Sequence, residues 1–137
     1  MPELTGVIET ALYVDDLPRA VEFYRSVLGL ETMLADDRLC AMNVAGRDVL
    51  LLFKRGASAK PIPIPNGVIP PHDGSGPVHM AFSIAPPAFA DWERKLQERG
   101  IAIERKVVWP RGGRSLYFRD PDGHLLELAT PGIWPNY

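Results

Sequence analysis

The sequence predicts an α+β fold, with two paired βαβββ modules forming a curved mixed sheet. Three observations carry this. The order strand, helix, glycine, three strands occurs twice within 137 residues. A stretch rich in proline and glycine separates the two copies. The run Arg119 to Leu128 reads as a strand end, a Pro-Asp-Gly turn and a closing strand that is apolar except for one carboxylate, Glu127.

Composition sets the frame. A chain of this length supports one ordinary core, so a single domain is expected over 1–137. A net charge of −2 gives no hold for nucleic acid or an anionic membrane. The single cysteine, Cys40, cannot close an internal disulfide and reads as a small buried hydrophobe. No stretch resembles a signal peptide and no apolar run approaches a membrane span, so a cytoplasmic protein is expected.

Module one covers about 5–55. Val7 to Val14 alternates as a strand, with Ile8, Leu12 and Val14 on one face and Glu9, Ala11 and Tyr13 on the other. Asp16 is a helix N-cap and Pro18 fits the first turn. Leu17, Ala20, Val21, Tyr24, Val27 and Leu28 recur at helical spacing, and Gly29 stops the helix. Strands are expected at about 31–35, 38–44 and 48–54. The linker, about 56–76, contains Pro61, Pro63, Pro65, Pro70 and Pro71, which exclude a helix or an interior strand; a loop this long also suits a cover over a site.

Module two covers about 77–131. Val78 to Ile84 reads as a strand, and Pro86-Pro87 opens a helix to about Glu98 with Phe89, Trp92 and Leu96 inward. Gly100 ends that helix, and strands follow at about 103–108, 114–119 and 124–129. Pro131 to Tyr137 reads as an irregular tail.

Aligning Glu9-Thr10-Ala11-Leu12 with His79-Met80-Ala81-Phe82 gives an offset of 70 residues (79 − 9). Glu9 and His79 then occupy equivalent points of the two first strands. Glu127 lies on the last strand of its module, with Leu51 as its counterpart. A carboxylate in a strand that reads as buried needs a partner. Side-by-side modules would let Glu9, His79 and Glu127 converge, and two carboxylates with an imidazole suit a divalent cation with open positions. The plainer alternatives are a hydrogen-bonded core histidine for His79, an arginine such as Arg114 or Arg119 as the partner of Glu127, and a solvated edge residue for Glu9. Two carboxylates near one site would also suit Glu9 as a general base. His124 follows the turn and is read as capping it. Tyr13 shares the Glu9 face, and Trp109 is placed to wall a pocket.

These stretches, with Ala20-Val21-Glu22-Phe23-Tyr24, Leu28-Gly29-Leu30 and Asp120-Pro121-Asp122-Gly123-His124, make the chain resemble the vicinal oxygen chelate superfamily, which includes glyoxalases, bleomycin-resistance proteins and extradiol dioxygenases. The resemblance spans about residues 5 to 131. It implies one divalent metal ion (Mn, Zn, Ni, Fe or Mg) held by Glu9, His79 and Glu127, a small-molecule substrate and a homodimer. The fourth ligand of glyoxalase I, a Glu, has no counterpart here, because Leu51 or a neighbour stands in its place. Gly113-Arg114-Ser115-Leu116-Tyr117-Phe118 is similar to the fosfomycin-modifying members, which implies Arg114 and Tyr117 as substrate residues and Tyr117 as a catalytic one. The expected function is therefore a metal-dependent enzyme using Lewis-acid chemistry on a small oxygen-rich molecule, as isomerase, lyase or fosfomycin-type transferase or hydrolase. The alternatives are an extradiol-type dioxygenase, which would be one histidine short, and a metal-free binding protein of the bleomycin-resistance type.

Overall fold

The computed structural model describes all residues, Met1–Tyr137. The chain divides into two units, Met1–Gly76 and Pro77–Tyr137. No helix is long and apolar enough to cross a membrane.

Unit one holds β1 (Glu9–Val14), α1 (Leu17–Leu28), β2 (Glu31–Ala35), β3 (Leu39–Val44) and β4 (Asp48–Lys54). Its sheet runs β1-β4-β3-β2, with β1 parallel to β4 and the other pairs antiparallel. The Asp16 carboxylate accepts the Arg19 amide at 3.1 Å, a cap of the kind that stabilises a helix by about 1 kcal/mol. Gly29 closes the helix at φ 73°. Leu12, Val14, Leu50, Leu52, Cys40 and Met42 are almost wholly buried, as are Ala20 and Tyr24 of α1. The opposite face of the sheet carries Glu9, Ala11 and Tyr13 beside Val49, Leu51 and Phe53, the pairs fixed by the β1–β4 register. Ile8 departs from its expected place: β1 begins one residue later, and Ile8 stays exposed.

Within the proline-rich segment the structure holds a two-stranded ribbon, β5 (Ile62–Ile64) and β6 (Gly67–Ile69). Pro63, which has no N–H to donate, is tolerated because no further strand pairs with the ribbon.

Unit two repeats the plan with β7 (His79–Ser83), α2 (Phe89–Glu98), β8 (Arg105–Val108), β9 (Arg114–Arg119) and β10 (Leu125–Ala129). A single 3-10 turn at Pro86–Ala88 precedes α2. The order is β7-β10-β9-β8, again with the first strand parallel to the last. Phe89 and Leu96 are buried with Leu116, Phe118, Leu126 and Leu128, whereas Trp92 is only half-buried, with the Lys95 ammonium 4.8 Å from its ring centre.

The repeat holds at the level of register. Glu9 lies opposite Val49 and His79 opposite Leu125; Ala11 lies opposite Leu51 and Ala81 opposite Glu127. Glu9 and His79 are thus equivalent within their own sheets, as are Leu51 and Glu127.

Candidate metal centre

Glu127 projects from β10 on the sheet face opposite α2. Strand alternation puts His79, Ala81, Ser115 and Tyr117 on that face, with Ala81 and Tyr117 directly across from Glu127. The Glu127 side chain is 9% exposed. A carboxylate so nearly removed from water must be compensated. The two arginines that could have neutralised it are engaged elsewhere: Arg119 pairs with Glu104 at 2.8 Å, and the Arg114 guanidinium lies 3.8 Å from the Phe89 ring centre.

What Glu127 meets instead is Ser115, whose buried hydroxyl donates to Oε2 at 2.5 Å, and His79, whose Nε2 lies 3.2 Å from Oε1. His79 Nδ1 is 2.8 Å from the Leu125 carbonyl oxygen, which can only accept, so Nδ1 carries the proton. In the neutral ring, Nε2 then turns its lone pair toward a carboxylate oxygen. Two acceptors facing each other at this distance need a proton or a bound cation between them. The donor set fits a divalent cation, with a backbone carbonyl fixing the tautomer and a hydroxyl fixing the carboxylate from behind.

Trp109 reaches this site indirectly. Its indole N–H donates to Ser115 Oγ at 2.8 Å, which leaves the serine proton for Glu127. Tyr117 has its ring centre 6.2 Å from that of His79. Burial, and then the neighbouring Glu127 charge, push the Tyr117 phenol above its ordinary pKa, so it stays a proton donor. Arg114, expected as a substrate residue, lies on the other face of β9 from Tyr117, with its guanidinium over the Phe89 ring.

Glu9 heads β1 in unit one, exposed, and no cluster of three or more His, Cys, Asp or Glu side chains gathers in ligating geometry. Tyr13 stacks on Phe53 at 5.8 Å and shares a 2.5 Å hydrogen bond with His72 Nδ1. His124 is buried, and its Nδ1 accepts the Val78 amide at 3.0 Å, so its ring ties Val78 to the end of the turn, and the turn itself is held by the Asp120 carboxylate.

The tail supplies a wall that its composition does not announce. Ile133, Trp134 and Tyr137 line a cavity of about 210 Å³ with Ala81, Glu127 and Ala129. Tyr137 donates to the Ala129 carbonyl at 2.8 Å, and its own carbonyl accepts three tail amides. Two glycines allow this path: the Gly113 amide donates to the Gly132 carbonyl at 3.1 Å, and a Cβ on Gly113 would meet that backbone at 2.7 Å.

Ser115→Ala removes the support behind Oε2. Metal affinity is expected to fall about 10- to 100-fold, read by calorimetric titration with Mn²⁺; an unchanged affinity would reduce Ser115 to a packing residue.

Known proteins bear directly on this arrangement. The family model of the Glyoxalase/Bleomycin resistance protein/Dioxygenase superfamily matches residues 6–128. The Metallothiol transferase FosB of Staphylococcus haemolyticus is 28% identical over 131 residues, covering 95% of this chain and 86% of the relative. The Glutathione transferase FosA of Serratia marcescens is 32% identical over 133 residues, covering 95% and 84%. The crystal structure of Lactoylglutathione lyase from Agrobacterium tumefaciens matches at a TM-score of 0.88 and 32% identity, over 98% of this chain and 99% of that one. The matched span contains both βαβββ repeats and the strands that carry Glu9, His79 and Glu127, and on that basis the chain belongs to the glyoxalase/bleomycin resistance protein/dioxygenase superfamily.

Proposed function

We propose that the protein is a metal-dependent enzyme that acts on a small oxygen-rich molecule by fosfomycin-type addition. The observation that carries the reading is the 3.2 Å approach of His79 Nε2 to Glu127 Oε1 with both outer atoms already committed. The third protein ligand in this reading is Glu9, and its register equivalence to His79 supports that choice. At the counterpart of Glu127 stands Leu51, so the set ends at three and leaves positions for substrate oxygens. Relatives named Metallothiol transferase and Glutathione transferase support a metal and a thiol co-substrate. Two carboxylates and one imidazole suit a divalent cation, and Mn²⁺ serves as the probe.

When bound, the cation would supply Lewis acidity to a substrate oxygen. The chain does the rest. Ser115 and the Leu125 carbonyl hold the two ligand side chains in one orientation. Tyr117 keeps its proton and offers a hydrogen bond across from Glu127. Ala81 is small enough to leave room, and Ile133, Trp134 and Tyr137 line one side of the space beside Glu127. The working form we assign is a homodimer in the cytoplasm; exposed Val7, Ile8, Met33 and Leu34 supply apolar area for a second copy.

Calorimetric titration with Mn²⁺ of the wild type, His79→Ala and Glu9→Gln tests this, followed by assays with fosfomycin plus a thiol and with the glutathione hemithioacetal. We expect one metal per chain, lost in His79→Ala. In Glu9→Gln we expect affinity at least about tenfold weaker at an unchanged melting temperature, since Glu9 is exposed. Manganese-dependent loss of fosfomycin completes the expected result. Turnover of the hemithioacetal alone would replace addition with glyoxalase-type isomerisation, a reading that the lyase structure favours. Absence of metal binding would leave a small-molecule binding protein, and iron- and oxygen-dependent turnover a dioxygenase.

A further inference from the structure

The chain holds three asparagines, and only Asn66 is followed by glycine. Pro65 and Asn66 form the two-residue turn that joins β5 to β6, and every residue from Pro63 to Val68 is exposed. Pro65 presets the first turn position, and asparagine followed by glycine suits the positions after it. The same pair brings two reactive groups together. A bond between the Asn66 side-chain amide carbon, Cγ, and the Gly67 backbone nitrogen would close a five-membered ring, and glycine has no side chain to block the approach.

The ribbon gives this pair a freedom that the chain's similar pairs lack. It consists of the residue pairs Ile62–Ile69, Pro63–Val68 and Ile64–Gly67, and no further strand joins it. A two-stranded ribbon by itself is marginal in water, so its turn end opens readily and frees the Gly67 nitrogen. A Cβ at Gly67 would meet nothing within 4 Å, so the space around that nitrogen is open. Asn43, by contrast, lies in β3 between Glu31 and Val49, and its Oδ1 accepts the Gly46 amide at 2.7 Å. The branched side chain of Val44 then crowds the next nitrogen. Asn136 is followed by Tyr137, whose amide donates to the Trp134 carbonyl at 3.0 Å. The two Asp-Gly pairs are held as well: Asp73 Oδ1 accepts the Gly56 amide at 3.0 Å, and the Gly123 amide donates to the Asp120 carbonyl at 3.0 Å.

We propose that Asn66 is a site of spontaneous deamidation, which gives the ribbon a carboxylate and an altered backbone as the protein ages. The Gly67 nitrogen attacks Cγ of Asn66, and the new bond closes a cyclic imide. The Gly67 proton passes to water, and the side-chain nitrogen leaves as ammonia. Water then opens the imide at one of its two carbonyls, with no oxidation or reduction at any step. Opening at Cγ leaves an aspartate. Opening at the main-chain carbonyl leaves an isoaspartate, in which the chain runs through the former side chain and gains one methylene. Either product adds one negative charge to a chain of net charge −2. The isoaspartate also lengthens the turn, so the Ile64–Gly67 pair can no longer close as it does here. Nothing in this chemistry depends on the metal reading.

The test incubates the full chain warm at mildly alkaline pH and maps its peptides by mass spectrometry, with an isoaspartate-specific methyltransferase to separate the two products. Asn66 is expected to react at least about tenfold faster than Asn43 or Asn136, with isoaspartate among the products. A synthetic peptide spanning Pro61–Pro71 sets the unhindered rate, and Asn66 in the folded chain should fall within about tenfold of it, because opening the ribbon costs little. Gly67→Ala should slow the reaction by about tenfold or more, since the methyl crowds the attacking nitrogen. The turn accepts that change, because Gly67 has open space and lies outside the left-handed region. Equal rates at the three asparagines, aspartate without isoaspartate, a folded-chain rate far below that of the peptide, or an unchanged rate in Gly67→Ala would each overturn the proposal.

Discussion

Glu127→Gln is expected to lower turnover by about 10³-fold or more while leaving the fold intact. The geometry makes this variant unusually clean. In the wild type, Oε2 accepts from Ser115 and Oε1 faces the bare Nε2 of His79 at 3.2 Å. A glutamine in the same rotamer keeps its amide oxygen for Ser115 and turns its NH₂ to His79, so the two facing acceptors become a donor and an acceptor. The site closes on itself, with no added proton or cation between the two side chains. Glu127→Ala differs, because it leaves the buried Ser115 hydroxyl without its acceptor, at a cost of about 1–3 kcal/mol, while the half-exposed His79 ring can turn its Nε2 to water. Thermal melts with and without Mn²⁺ tell the two apart. The wild type should gain stability with metal concentration, because only the folded state binds. Glu127→Gln should match the metal-free wild type and show no gain, and Glu127→Ala should start lower. A full manganese-dependent shift in Glu127→Gln would remove Glu127 from the ligand set.

Much of this site is legible in the residues alone. The repeat places Glu9 and His79 at equivalent points, and the register of the two sheets agrees residue for residue. Caps at Asp16 and Gly29 are readable because their chemistry is local. Strand alternation sets Arg114 apart from the other two: with a period of two, Ser115 and Tyr117 share a face that Arg114 cannot. The ribbon at Ile62–Ile69 is masked by alternating prolines, which argue correctly against an interior strand and say nothing about an isolated pair. Arg38 and His72 are 34 residues apart (72 − 38) and meet through Ser58, a long-range contact with no periodic signature. The tail reads as irregular, which it is; its packing depends on the Gly113–Gly132 contact, which only the three-dimensional path of the chain creates.

His124 shows how the turn governs the metal site from outside it. Asp120 Oδ1 accepts the amides of Asp122 and His124 at 3.0 and 2.9 Å, which fixes the turn. The His124 ring, 1% exposed, then accepts the Val78 amide at 3.0 Å, and the Leu125 amide donates to the Val78 carbonyl at 2.8 Å. Val78 is thereby tied to β10 on both sides, and the next residue is His79. His124→Ala opens a cavity in the core and removes an acceptor from the Val78 amide, so a loss of about 2–3 kcal/mol is expected, a fall of roughly 10 °C in melting temperature. The same change frees the start of β7, and Mn²⁺ affinity should drop about tenfold although His124 is no ligand. His124→Asn supplies an oxygen acceptor close to the backbone and should recover more of the metal affinity than of the stability, because the hydrogen bond returns and the ring volume does not. If His124→Ala melted early but bound Mn²⁺ like the wild type, the tie to Val78 would serve the core alone and the placement of His79 would rest on its own bond to the Leu125 carbonyl.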